Sequence, residues 1–265
     1  MYKIMDLPQV SFGTYRLGDK TYDALDGAFD CGYRSIDTAS LYKCEHIIGQ
    51  YLKQNEINRS DICITSKLNP KIMEKNEGDI LESINKTLKD LETNYLDLFL
   101  IHCPNKIENI NIKCWSILEQ LYKNGTFKNI GVSNFSVEHL EEIKNFSSTP
   151  IYTNQIELSP FLKRPIVCDY MKKNNIIISA HSSLAKGEMF DNIIIKNMAD
   201  KYQKKTAQIM LKWALNNNYH IMPRSANKLH IFENYNLDFE LNKDCMDELN
   251  NIDITHITHP KYILK

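Results

Sequence analysis

Four side chains in the first part of this 265-residue chain could do acid–base chemistry together: Asp37, Tyr42, Lys67 and His102. A phenol ordinarily keeps its proton to about pH 10, too tightly to exchange it near neutrality. An ammonium group beside it favours the phenolate. A carboxylate behind the ammonium keeps that charge in place. A neighbouring histidine can orient a carbonyl oxygen or relay a proton. The set suits a reaction that protonates an oxygen as charge develops on it. Each residue alone has a plainer reading. Asp37 could be a helix cap or half of a structural ion pair, Lys67 a solvated lysine, and His102 a hydrogen-bonded core histidine. Tyr42 is one of 14 tyrosines. The elements that would carry them decide between the readings.

Strand signals occur at Gln9–Phe12, Tyr33–Asp37, Ile62–Ser66, Leu96–Ile101, Asn129–Val132, Ile151–Gln155, Ile176–Ala180 and His220–Met222. Helical stripes alternate with them at Thr21–Cys31, Cys44–Asn55, Asp79–Leu91, Ile112–Asn124, Ser136–Asn145 and Arg164–Lys173, then in a region best defined over Thr206–Asn217. Lys228–Tyr235 and Asp244–Asn251 read as final helices, and Thr255–Lys265 as a tail. Eight strand-then-helix units over one domain length predict a (β/α)8 barrel, with residues 1–265 forming a single domain and a short C-terminal tail from about 252. A doubly wound sheet is the alternative. It would bring a glycine-rich turn for phosphates, and among nine glycines no GxGxxG or GxxxxGK[ST] occurs.

In a barrel, chemistry belongs at the C-terminal strand ends. The residues just past the predicted strands are Gly13-Thr14, Asp37, Lys67, His102, Ser133-Asn134, Gln155, His181-Ser182 and Arg224-Ser225. Nearly all are polar, behind apolar stretches, which describes a lined pocket.

Composition narrows the partners. Lys+Arg is 32 against Asp+Glu 33, a formal charge of −1, which argues against a nucleic-acid or membrane-surface protein. No apolar run is long enough to span a bilayer. The seven cysteines are scattered, with no CxxC pair and no secretory signal, so reduced thiols and a cytoplasmic location are expected. His256 and His259 are spaced like metal ligands, but no thiol or carboxylate stands at ligand spacing, and no metal is expected.

Asp37-x4-Tyr42, Ile-Thr-Ser-Lys67, Leu-Ile-His102, Gly131-Val-Ser-Asn-Phe135, Asn154-Gln-Ile-Glu157 and Met222-Pro-Arg-Ser225 together resemble the ordered motifs of the aldo-keto reductase family, over residues 8–252. The resemblance implies a (β/α)8 barrel that reduces an aldehyde or ketone to an alcohol with NADPH as cofactor, NAD also being possible. It implies Tyr42 as proton donor, supported by Lys67 and Asp37, with His102 placing the carbonyl. Ser133, Asn134 and Gln155 would hold the nicotinamide carboxamide, and His181 would stack on the ring. Gly13 and Thr14 would line the cofactor channel. Ser182 and Leu184 would follow the pyrophosphate, and Arg224, Ser225, Glu233 and Asn234 would hold the adenosine end. Tyr15 and Cys103 would line the substrate pocket.

The chain departs from the family at several of these places. His181 replaces an aromatic residue and Cys103 a tryptophan. Ser183 replaces a proline, and His230 an arginine that contacts the 2′-phosphate. Arg224 replaces a lysine, and its guanidinium can grip a phosphate bidentately. Pro104–Ile112 and the tail after Asn251 are short, so an open, less aromatic pocket is expected. The expected partner is a small carbonyl compound, with no nucleic acid or membrane, acting on a monomer or weak oligomer. Two rival readings are a nucleotide-binding sensor or scaffold with little turnover, and a Schiff-base role for Lys67. The Tyr-Asp-His set and the Ser133-Asn134-Gln155 site weigh against the second.

Overall fold

Eight short parallel strands set the architecture: β1 (Phe12–Gly13), β2 (Ser35–Asp37), β3 (Cys63–Leu68), β4 (Leu98–Ile101), β5 (Ile130–Ser133), β6 (Thr153–Glu157), β7 (Ile177–His181) and β8 (His220–Ile221). They come from a computed structural model that describes residues 7–260. Met1–Asp6 and Lys261–Lys265, the ends of the predicted domain and tail, lie outside the described residues. The strands pair in chain order, each parallel to the next. The ring closes where Val10 bridges Ile221 in parallel. Ser11 N donates to Ile221 O at 2.8 Å, Ile221 N to Gln9 O at 2.7 Å and Gly13 N to Pro223 O at 3.0 Å. A Cβ on Gly13 would sit 2.6 Å from Met222 O, so this seam needs a glycine. The result is the predicted (β/α)8 barrel.

β4 is buried throughout, as a run of Leu-Phe-Leu-Ile covered on both faces must be. Lys67 and Gln155 lie within β3 and β6, and His181 is the last residue of β7. β1, β3, β5, β6 and β7 run a residue or two further toward the pocket than their apolar runs suggest, because the ladder continues into the polar ends, while β2 and β4 end as predicted and β8 one residue sooner.

The helices bury one stripe each. They are α1 (Thr21–Cys31), α2 (Glu45–Gln54), α3 (Glu77–Asp90), α4 (Ile110–Lys123), α5 (Val137–Phe146), α6 (Pro165–Lys173), α7 (Ile193–Tyr202), α8 (Thr206–Asn216), α9 (Lys228–Tyr235) and α10 (Lys243–Asn250). Asn76 caps α3 by accepting from Asp79 N at 2.9 Å. α4 places Trp115 and Leu118 in the core and gives way to Gly125 at φ 86. Trp213 of α8 is also core, as its stripe predicts.

The helical region predicted after β7 is two helices. Gln203, at φ 52, breaks the chain between α7 and α8. After α10 the chain turns back over the barrel. Lys163 Nζ donates to Ile252 O at 2.8 Å, and His256 N to Phe161 O at 3.0 Å. The described part of the tail, residues 252–260, lies across the ends of β6 and β7.

Candidate active site

β2 delivers Asp37 to the barrel end, 4% exposed, and β3 delivers Lys67 beside it, 1% exposed. A buried charge pair is tolerable only when hydrogen bonds compensate it. Here both carboxylate oxygens and two of the three ammonium N–H groups have partners. Lys67 Nζ donates to Asp37 Oδ1 at 2.6 Å and to Thr38 O at 2.9 Å. The other oxygen of Asp37 accepts from Gln155 Nε2, reaching from β6, at 2.7 Å. The chain after Asp37 makes a single tight turn, Ser40–Tyr42, and Ser40 Oγ donates to Lys67 O at 3.2 Å, tying that turn to β3. The turn brings the Tyr42 ring within 5.2 Å of Lys67 Nζ, measured to the ring centroid.

His102 follows β4, and its ring stands edge-on to Tyr42, 5.8 Å away at 83°. Burial, and then the Lys67 ammonium, press its pKa down to about 3, so the imidazole is neutral near pH 7. Its Nδ1 is buried without a hydrogen-bond partner. An orphaned lone pair is tolerated better than an orphaned N–H. The proton therefore belongs on Nε2, which makes this imidazole a donor.

A second network joins β5, β6 and β7. Ser133 Oγ and Asn134 N both donate to Gln155 O, at 2.8 and 2.9 Å. Asn134 Nδ2 donates to His102 O at 3.1 Å and to Ser133 Oγ at 3.0 Å. A carbonyl only accepts, so this orients the amide and leaves Asn134 Oδ1 facing His181 Nε2 at 2.9 Å. His181 Nε2 must then carry the proton. Burial, followed by the neighbouring His259 and Lys67, holds His181 well below the usual imidazole pKa. With the ring neutral, Nδ1 accepts from Ser182 Oγ at 3.1 Å. Ser182 takes a left-handed backbone, φ 56.

Thr14 Oγ1 donates to Asp37 O at 3.1 Å. The Tyr15 ring packs edge-on to Tyr42 at 5.0 Å. Cys103 is half-buried, and burial pushes its thiol up to about 11, so it stays protonated. Leu184 lies in the turn after β7, partly buried against the core. Arg224 reaches the backbone of Tyr15 and Arg16, and Ser225 Oγ accepts from Asn227 N at 3.0 Å. Glu233 stands 4.0 Å from Lys205. Neither Glu233 nor the buried Asn234, both on α9, hydrogen-bonds to the Asp37–Lys67 centre among the described residues.

The tail adds residues that sequence reasoning did not assign. Glu157, buried at the end of β6, accepts from Thr258 N and Oγ1 at 2.6 and 2.8 Å and from His259 N at 3.1 Å. Lys186 Nζ donates to Thr258 O at 2.6 Å. His259 is thereby held edge-on to His181 at 5.8 Å and near Tyr15 at 6.4 Å. The available signal was Glu157 itself, an acid two residues past Gln155 that needs donors. His256 stands 2.9 Å from Glu188 Oε2. Among the described residues no group of three or more His, Cys, Asp or Glu side chains is arranged to hold a metal.

Comparison with known proteins bears on this geometry. The profile of the aldo/keto reductase family matches residues 9–254. A glyoxal reductase of Bacillus subtilis (strain 168) is 35% identical over 250 residues, covering 92% of this chain and 88% of that protein. The crystal structure of MGS-M4, an aldo-keto reductase from a Medee basin deep-sea metagenome library, superposes with a TM-score of 0.88 at 32% identity, over 92% of this chain and 90% of its own. A Gox0644 mutant solved in complex with NADPH gives a TM-score of 0.87 at 31% identity, over 92% and 88% of the two chains. No helix among the described residues is long and apolar enough to cross a membrane. A family profile that spans nearly the whole chain, on a barrel with this strand-end chemistry, means that the chain belongs to the aldo/keto reductase family and is an NADP-dependent carbonyl reductase.

Proposed function

We propose that Tyr42 is the proton donor of this reductase and that its substrates are small 2-oxoaldehydes. The observation that carries the first point is the buried, hydrogen-bonded Asp37–Lys67 pair with its ammonium 5.2 Å from the Tyr42 ring. The second rests on the relative named glyoxal reductase and on the polar rings of Tyr15 and His259 around the Tyr42 end of the barrel.

The residues fit a nicotinamide dinucleotide. Gln155 keeps Oε1 as an acceptor while its Nε2 serves Asp37, and Asn134 Oδ1 has a second lone pair; both suit a carboxamide NH2. Arg224 and Ser225 offer donors to a phosphate at the end of β8. When bound, NADPH supplies the hydride. The chain does the rest. His102 Nε2–H orients the carbonyl oxygen. Lys67 stabilises the charge that develops there, and Asp37 holds Lys67 in place. Tyr42 then delivers its proton, and its partial exposure lets solvent restore it. Seven unpaired thiols support a reducing compartment such as the cytoplasm.

The test is NADPH oxidation by the purified protein with glyoxal, methylglyoxal and bulkier aldehydes. Tyr42→Phe should lower kcat by about 10²–10⁴-fold, the worth of a positioned general acid, with the Kd for NADPH unchanged. A mutant that keeps its turnover would remove Tyr42 from this role. A native protein that binds NADPH but reduces nothing would favour the scaffold reading.

A further inference from the structure

Arg224 belongs to the end of β8, yet its side chain is committed across the barrel seam. Nε donates to Tyr15 O at 2.7 Å, and Nη2 approaches Arg16 O at 3.4 Å. One planar fork thus spans two consecutive carbonyls of the loop that follows β1, 209 and 208 residues away. Thr14, whose N and Oγ1 both donate to Asp37 O, and Leu17, buried in the core, hold the two ends of that loop, and the fork grips the two residues between them. β1 and β8 are each only two residues long, and Arg16 holds a left-handed backbone at φ 57, unfavourable for a residue with a Cβ. What the loop carries is Tyr15, packed edge-on to Tyr42 at 5.0 Å and near His259 at 6.4 Å.

We infer that Arg224 is a positioning residue for Tyr15, and so sets the carbonyl pocket from the nucleotide end of the site. This rests on the reductase reading above. A guanidinium has donors beyond the two used here, so it can hold the loop and an anionic phosphate together. Held from both sides it loses freedom once, not twice. A nucleotide 2′-phosphate and the carbonyl substrate then bind cooperatively, and the coupling is reciprocal. Nucleotide choice becomes a determinant of the carbonyl KM.

Arg224→Lys keeps the charge but offers a point in place of a fork. At saturating NADPH we expect its carbonyl KM to rise about five- to ten-fold with kcat within about two-fold, a loss of binding without a loss of chemistry. Tyr15→Ala should raise KM similarly, and the double variant no further, since both remove one interaction. In the native protein the carbonyl KM should be lower with NADPH than with NADH, and the difference should vanish in Arg224→Lys. Amide hydrogen exchange supplies a readout free of turnover: exchange over residues 14–17 should quicken in Arg224→Lys while β3 and β4 stay protected. An unchanged KM at saturating nucleotide, KM effects that multiply, or unchanged exchange over 14–17 would each overturn the inference. Absence of turnover in the native protein would defeat the reductase reading alone, and the exchange experiment would still decide the bracket.

Discussion

Lys67 has two separable jobs, and mutation can pull them apart. Its ammonium neutralises a carboxylate that is almost wholly buried, and it stands beside the Tyr42 ring. Lys67→Met would leave Asp37 charged with Gln155 as its remaining side-chain donor. Breaking a buried pair from one side costs about 3–5 kcal/mol, because the surviving charge is left uncompensated. We expect that loss in urea unfolding, together with turnover reduced at least as far as in Tyr42→Phe. Adding Asp37→Asn removes the stranded charge, so the double variant should recover most of the stability and none of the activity. Recovered activity would mean that Lys67 acts only as a structural partner. The four residues were legible in the sequence because their types make sense together at consecutive strand ends. The link between Asn134 and His181 was not legible, since it follows from which way an amide faces His102 O. The Arg224 bracket was hidden for a similar reason: it ends on backbone carbonyls, which carry no residue identity.

At the scale of elements, the regular pieces announced themselves and the irregular ones did not. Alternating apolar runs and stripes located all eight strands. α7 was missed as a helix of its own because it opens on Ile193-Ile194-Ile195, a β-branched run that reads poorly as helix, and owes its start to the Asn192 side chain accepting from Ile194 N and Ile195 N. The tail was expected to leave the pocket open. Thr258 and His259 nevertheless reach the site, because one buried carboxylate, Glu157, collects three donors from them, a contact with no periodicity to betray it. This contact should matter to substrate more than to chemistry. Glu157→Ala leaves those donors unpaired and frees His259 from its place beside Tyr15 and His181. The carbonyl KM should rise about five-fold or more, with the NADPH Kd and kcat little changed, the pattern of lost uniform binding. Truncation after Asn251 should reproduce it. Kinetics that leave KM unchanged in both variants would show that the tail is no wall of the pocket.

Taken as a whole molecule, the barrel gathers imidazoles that must stay neutral to fold. Burial presses down the pKa of His102 to about 3, and it also depresses those of His181 and His259. In the unfolded chain each would titrate near 6.5. Between that value and the folded pKa the unfolded state binds more protons, so stability is complete above about pH 6.5 and is lost as pH falls toward the folded value. One buried acid acts the other way. Glu45, held by Ser66 and Thr87, has its pKa raised by burial, so its folded state takes up a proton first on acidification. Three imidazoles against one carboxylate leave a net loss on acidification between pH 6.5 and 5, above the range in which ordinary carboxylates titrate. Thermal unfolding at half-unit steps from pH 7.5 to 5 should show Tm level at first and then falling. His102 by itself supplies about 1.4 kcal/mol per pH unit at full slope. His102→Gln, which cannot titrate, should flatten the fall by that amount even where it lowers stability at pH 7.5. A Tm that holds level to pH 5, or a His102→Gln variant with the native slope, would mean that these rings are solvated or charged in the folded protein. His102 would then be an acid and not the neutral donor on which the division of labour with Tyr42 depends.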